Sequence, residues 1–251
     1  METVTISAPI SNREAYIPSY LKCILSQTYP KELTNLYFLI NNSQDNSQTL
    51  LKQFKKKYQI SYNKIDVKIY NNSKIPSSKD RLNRIIDNSL YEHLAYIRNL
   101  IFESIDTDWV FSVDSDIMLT PDSLDTLIKS GKKAISGLVC NGHEFVKSSP
   151  FTDPYKFTNV MYLNNLHKYT HFRKSQLKGI IEVDMTGAII LLHRSLYKTC
   201  KYRSDNQGED IPFCQDIQKL KEKIYCNTDV KLAHCMNLEL LENFKNNKFK
   251  Y

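Results

Sequence analysis

Trp109-Val110-Phe111-Ser112-Val113-Asp114-Ser115-Asp116-Ile117 is the stretch on which the fold turns. Its first five residues form a short, nearly continuous apolar run, the pattern of a strand buried on both faces. An Asp-x-Asp follows where that strand ends. Carboxylates at i and i+2 point the same way on a regular strand, and where the chain turns at its end both can reach one divalent cation. Open parallel sheets bind ligands outside the carboxyl ends of their strands, which is where Asp114 and Asp116 fall. The competing role is to cap the next helix. Thr120-Pro121-Asp122-Ser123 suits that role better, with Pro121 predicted at the first helical position.

Working outward, Val4 to Ile10 is β-branched and reads as a first strand, and Ala15 to Gln27 carries apolar residues at helical spacing. Leu36 to Ile40 is a second buried strand closing into the polar Asn41-Asn42-Ser43 loop. Thr49 to Tyr58 reads as helix, Ile65 to Tyr70 as strand, Asn71 to Arg84 as a solvated connection, and His93 to Ser104 as helix. Strands alternating with helices from the first residue predict an α/β fold with a mainly parallel central sheet flanked by helices. Beyond residue 130 the pattern loosens: Ala134 to Val139 and Ile180 to Leu192 read as strands, and Phe145 to Lys178 as aromatic-rich and irregular. No Pro/Gly/Ser linker or repeat interrupts the chain, so a single domain is expected.

Composition narrows the chemistry. Six glycines in 251 residues include no G-x-G-x-x-G. Gly137 and Gly142 have P-loop spacing, but His143 and Glu144 stand where Lys and Ser/Thr would hold phosphate and Mg²⁺. Walker-type chemistry is thereby disfavoured, and phosphates would have to be held by a metal on acidic side chains. The formal charge of +7 favours anionic partners without choosing among them. Six cysteines contain no C-x-x-C pair and read as reduced and buried. The apolar run Ala188 to Leu192 is far too short to span a membrane and no signal peptide is evident, so a cytoplasmic protein is expected.

The first strand ending in Ala8-Pro9, the second ending in Asn41-Asn42, the helix bearing Arg98-Asn99, and Val113-Asp114-Ser115-Asp116 followed by Pro121 form an ordered series. Together they resemble a GT-A fold glycosyltransferase, with family 2 and the Anp-type mannosyltransferases as the nearest likenesses. The resemblance implies a glycosyltransferase domain over residues 1–240, with a nucleotide-sugar-binding half (1–120) and an acceptor half (121–240), and then a basic tail (241–251). It implies that the Asp-x-Asp holds Mn²⁺ or Mg²⁺ against the donor's diphosphate, with Asp116 on the metal and Asp114 and Ser115 at the donor. His234, at the end of an apparent last strand, would complete the metal site. Ala8, Pro9, Ser11, Asn12, Arg13, Asn41 and Asn42 would rim the nucleotide, with Asp66 a weaker candidate for base recognition. The Asn-Asn ending, where relatives often carry acids, leaves the base open between UDP, favoured, and GDP.

Arg98 is assigned either a donor contact or an ion pair with Asp114. The stretch Asp184, Thr186, Gly187 resembles the floor of an acceptor site, and Gly208-Glu209-Asp210 the motif opening an acceptor-side helix. An inverting transfer needs a carboxylate to take the acceptor proton; Asp210 is the favoured base and Glu209 the alternate, with helix capping compatible with either. His167 and His171 read as one solvated helix face. Leu238 to Tyr251 reads as a helix packed on the domain, or as a basic amphipathic element for peripheral membrane contact. The acceptor is a glycan, lipid-linked, protein or modified nucleic-acid hydroxyl. Rival readings are a retaining enzyme, as Anp-type relatives are, a sugar nucleotidyltransferase, and a basic nucleic-acid-binding module.

Overall fold

Alternating apolar residues organise the chain around one sheet in this computed structural model, which describes residues 2–71, 88–141, 157–173, 177–205 and 208–248. The elements run β1 (Val4–Ile10), α1 (Ile17–Leu25), β2 (Thr34–Asn41), α2 (Ser47–Tyr58), β3 (Lys64–Tyr70), α3 (Asn88–Ser104), β4 (Trp109–Val113), β5 (Ile117–Met118) and α4 (Ser123–Lys129). They continue with β6 (Ala134–Asn141), β7 (Phe157–Leu163), β8 (Tyr169–Arg173), β9 (Ile180–Val183), β10 (Met185–Thr186), β11 (Ile189–His193), α5 (Arg194–Tyr197), α6 (Asp210–Lys219), β12 (Ile224–His234) and α7 (Leu238–Lys245).

The main strand path is β10-β7-β6-β11-β4-β1-β2-β3. Strands β3, β2, β1 and β4 are parallel neighbours, as the alternating strand–helix pattern predicts. The second half departs from that order: β11 is antiparallel to both β4 and β6, and β7 to β6 and β8, so the sheet is mixed. For β7 and β8 the physical cause is connection length, because a short link permits a hairpin and leaves no room for a crossover helix.

Side chains leaving the two faces of the sheet build two cores. On one face Ile6, Leu36, Phe38 and Phe111 meet Ile17 and Tyr20 of α1, Leu51 and Phe54 of α2, Leu124 and Leu127 of α4, and Leu241 of α7. On the other, Tyr37, Leu39, Val110 and Leu192 meet Ile97, Ile101 and Phe102 of α3, Leu196 and Tyr197 of α5, and Phe213 and Ile217 of α6. The architecture is therefore a three-layer α/β/α domain. Fully burying each Leu, Ile or Phe contributes about 1.5–3 kcal/mol, and the nearly unbroken burial of β4 follows from having a core on both sides.

Several local expectations are corrected. Phe145 to Lys178 is not irregular throughout: residues 157–173 form the β7–β8 hairpin, so His167 sits in its turn and His171 on a strand rather than on one helix face. Helix α4 begins at Ser123, and Asp122 makes no side-chain cap; the Thr120 hydroxyl bonds the side chains of Asp122 and Ser123 instead. Leu241 is buried and Phe244 packs on the core, so α7 belongs to the domain across the expected 240/241 boundary. Residues 72–84 of the expected connection, with 142–156, lie outside the described residues. No helix among the described residues is long and apolar enough to cross a membrane.

Candidate active site

The carboxyl ends of β1, β2 and β4 open on one cleft of about 330 Å³. Pro9, Ser11 and Arg13 reach it from β1 and its loop, Asn41 and Asn42 from the end of β2, and Asp114, Ser115 and Asp116 from the end of β4. Parallel strands deliver these three loops to the same edge, which is why residues so distant in sequence share a cavity.

The Asp-x-Asp is held by backbone bonds on both sides. Asp114 donates its N–H to the Ala188 carbonyl at 2.9 Å, and Ile117 donates to the Asp114 carbonyl at 2.9 Å, closing a tight turn. Ala188 is at φ 65°, a left-handed conformation that a residue with a Cβ adopts only at a cost, so this acceptor is built into strained backbone beside the site. Beyond the turn, Ile117 and Met118 pair antiparallel with His234 and Ala233, and Cys235 donates to the Asp116 carbonyl at 2.8 Å. This two-residue ladder brings His234 to the Asp116 carboxylate, Nε2 to Oδ1 3.6 Å.

The two carboxylates face different cations. Asp116 Oδ2 accepts from Arg13 Nη2 at 3.2 Å, and Asp114 Oδ1 from Arg98 Nη2 at 2.9 Å. Arg98 also donates through Nε to Glu209 Oε1 at 3.3 Å, and both side chains are only 7% exposed. Of the two readings for Arg98, the ion pair with Asp114 is formed, and Glu209 is a second partner that local pattern gave no means of finding.

Asp210 opens α6 and lies against Gly187, where an added methyl would run into the Asp210 carboxylate. Burial pushes the Asp210 carboxyl well above the usual range; the neighbouring Glu209 charge pushes it further, Arg98 pulls it down, and Asp114 raises it. Both acids line the cleft, but the Glu209 carboxylate is engaged by Arg98, whereas Asp210 lies against Gly187.

Other expected residues stand elsewhere. Ala8 is inside β1 and fully buried in the core, not in the loop that rims the cleft. Asp184 accepts from Leu163 N–H at 2.7 Å and from the Gln218 amide, tying β7 to α6. Thr186 is buried behind Gly187, where its hydroxyl meets the Asn159 amide. Asp66 pairs with Lys64 on β3 and does not line the cleft. Asn12 takes part in the loop packing, its Oδ1 accepting from Gln44 N–H at 2.8 Å.

Residues to which the sequence gave no place at the site also line the cleft: Asn159, Met161 and His171 from the β7–β8 hairpin, and His93 from α3. Asn159 is 2% exposed and makes an internal junction, accepting from Val139 N–H and donating to Gly137 O and Thr186 Oγ1. Burial lowers the pKa of His93; it also lowers that of His171, offset there by a hydrogen bond with the Thr158 carbonyl. The alternation in Thr158-Asn159-Val160-Met161-Tyr162, the Asn164-Asn165 pair and Tyr169-Thr170-His171-Phe172 was the available signal for a hairpin.

A cation fits this donor set. Cis ligands at about 2.1 Å from one ion stand about 3 Å apart, close to the Asp116–His234 separation of 3.6 Å. Among the described residues no group of three or more His, Cys, Asp or Glu stands together as a metal site.

The sequence model of Anp1 matches residues 1–171, well over half of the chain. The protein belongs to the Anp1 family. The match covers Arg13, Arg98 and the Asp-x-Asp of this family member and stops before Glu209, Asp210 and His234. Similar solved structures include the mannosyltransferase PcManGT from Pyrobaculum calidifontis in complex with GDP-Man and Mn²⁺, at 13% identity and TM-score 0.60 over 95% of this chain and 58% of that one. S. aureus TarS in complex with UDP-GlcNAc aligns at 15% identity and TM-score 0.55, over 92% of this chain and 58% of that one. GalNAc-T7 with UDP, GalNAc and Mn²⁺ aligns at 12% identity and TM-score 0.62, over 93% of this chain and 44% of that one. The Anp1 family chain thus spans about half the length of these solved chains and has the fold of GT-A glycosyltransferases. No curated protein matches it in sequence.

Proposed function

We propose that the protein transfers a hexose from a nucleotide sugar to an acceptor hydroxyl, with inversion at the anomeric carbon. The observation that carries this reading is the cleft on which the Asp-x-Asp, His234, the buried Glu209 and the half-buried Asp210 converge. Asp116 and His234 would hold Mn²⁺ or Mg²⁺, which when bound neutralises the charge of the departing diphosphate. Ser11, Arg13, Asn41 and Asn42 line the side on which the nucleotide would lie, with Asp114 and Ser115 toward the sugar. UDP-sugars are the first donors to titrate and GDP-sugars the second; both kinds of donor occur among the similar structures.

Asp210 takes the proton of the acceptor hydroxyl as that oxygen forms its bond to C1 and the bond from C1 to the nucleotide diphosphate breaks. A general base works best with a pKa near the working pH, and the upward shift of Asp210 supports that role. Gly187 lets the carboxylate approach the backbone where the acceptor would enter.

The test is titration of UDP-sugars and GDP-sugars with and without Mn²⁺, followed by NMR of the product's anomeric proton. Binding that Mn²⁺ strengthens in the wild type but not in Asp116→Asn supports the reading; indifference to the metal in both overturns it. A product anomer matching the donor's would remove Asp210 from the base role and leave it to position the acceptor.

A further inference from the structure

Arg98 is placed unlike a residue that merely meets a substrate. Its guanidinium is buried in α3, and two of its nitrogens serve carboxylates from opposite halves of the chain: Asp114 of the Asp-x-Asp and Glu209 at the start of α6. Its face lies over the Tyr202 ring, 5.5 Å to the centroid, and Tyr202 stacks on Phe213 of α6 at 4.0 Å with 7° between planes. Asn99, the next residue, accepts from Tyr202 N–H and donates to the Tyr202 carbonyl, both at 2.9 Å, so the platform under Arg98 is fixed from the same helix. One arginine therefore reaches α6 through its N-cap Glu209 and through the Tyr202–Phe213 stack, and reaches the Asp-x-Asp through Asp114.

We infer that Arg98 is a positioning residue coupling the two halves of the site: it withholds Glu209 from proton transfer and fixes the start of α6 so that Asp210 is the carboxylate presented to the acceptor. This rests on the proposed role of Asp210. The chemistry follows from the guanidinium's planar fork, whose nitrogens can hold two carboxylates in a defined relation, which an ammonium cannot reproduce. The charged and titratable groups around Asp210 are Glu209, Arg98 and Asp114, with Tyr202 and Cys214 beside them. Arg98 is the one cation acting on Asp210 among them, opposing the upward push of burial and of the two acids.

The test is steady-state kinetics against pH for Arg98→Lys, Arg98→Gln and Glu209→Gln, with donor affinity measured by calorimetry. Arg98→Lys keeps a charge and loses the fork, so kcat should fall about tenfold or more while the donor Kd stays within about twofold. Arg98→Gln should move the acid limb of the kcat profile to higher pH, and Glu209→Gln should move it lower. Should Arg98→Gln fail to fold, Arg98→Lys and Glu209→Gln carry the test alone. A tenfold weaker donor Kd with an unmoved limb would make Arg98 a donor contact and overturn the inference, as would variants indistinguishable from wild type. Asp210→Asn separates this from the parent reading: if that variant stays fully active, the role of Asp210 fails; if it is inactive while the Arg98 variants are normal, only the coupling fails.

Discussion

Gly187→Ala isolates the contact on which the proposed proton transfer depends. A Cβ built at Gly187 stands 3.2 Å from Asp210 Cγ and 3.8 Å from its Cβ, and meets the carboxylate oxygen Oδ2 closer still. Gly187 is not among the glycines at positive φ, so the obstacle to the methyl is the Asp210 carboxylate, and that side chain is the one that gives way. Turning that carboxylate about 30° off its rotamer costs about 0.5–1.5 kcal/mol, a modest loss in stability. The effect on catalysis is larger, because displacing a reacting group by about 1 Å can cost about 10²-fold in rate. The expected result is a kcat reduced about 10- to 100-fold with donor Kd within about twofold, since the methyl does not reach Asp116 or His234. Gly131→Ala is the control: its φ of +63° makes the substitution cost about 1–2 kcal/mol, but nothing lies within 4 Å and it does not line the cleft. Both variants should melt earlier, and only Gly187→Ala should lose turnover. Equal kcat values for Gly187→Ala and wild type, in protein shown by melting to be folded, would refute the placement of Asp210.

Asp210→Asn should raise thermal stability at about pH 8 and give no gain near pH 3, because a carboxyl whose folded pKa lies above its unfolded value stabilises at low pH and loses that contribution as pH rises through the folded pKa; parallel melts across that range check the sign. Asn159→Ala leaves the Val139 N–H and the Gly137 carbonyl without their partner, each worth about 1–3 kcal/mol, so chemical denaturation should show a loss of at least about 2 kcal/mol. Lys221, at φ 60° just past α6 and exposed, should be replaceable by glycine with a gain of about 0.4–1 kcal/mol in the same assay, and with transfer activity unchanged.

The parts of the fold legible in the sequence are those governed by local period. Strand β4 announced itself because a core on each face requires an unbroken apolar run, and α1, α2 and α3 because one apolar stripe each must reach the sheet. The mixed second half was obscure: β9, β10 and β11 are separated by single residues or pairs, and no local pattern says whether such strands turn back on a neighbour or run on. The β7–β8 hairpin was legible in principle, but its aromatic richness masks its alternation, and with it Asn159 and His171. Of the site itself, the Asp-x-Asp stood out as chemistry at a strand end. The proximity of His234 to Asp116 came only through resemblance, because a two-residue ladder between β5 and β12 leaves no periodic trace.

The electrostatics of the site obey the same limit, because its charged pairs join residues far apart in sequence. Four carboxylates line the cleft, Asp114, Asp116, Glu209 and Asp210, and the two arginines beside them, Arg13 and Arg98, cannot neutralise them all. A nucleotide diphosphate entering this cleft would add further negative charge, which favours a reading in which a divalent cation arrives with the donor and Asp210 retains its proton more readily than an ordinary carboxyl. Arg13 sharpens the point, since its guanidinium already bonds the Asp116 oxygen that a cation would claim. A metal at Asp116 must compete with that contact, and the displaced Arg13, at the rim of the same cleft, would then be placed to meet the phosphates. Arg13→Ala should accordingly bind Mn²⁺ more tightly without nucleotide and bind the nucleotide sugar more weakly with Mn²⁺ present. Calorimetry of the two titrations reads the two affinities separately, and movement of both in the same direction would show that Arg13 does not exchange one partner for the other.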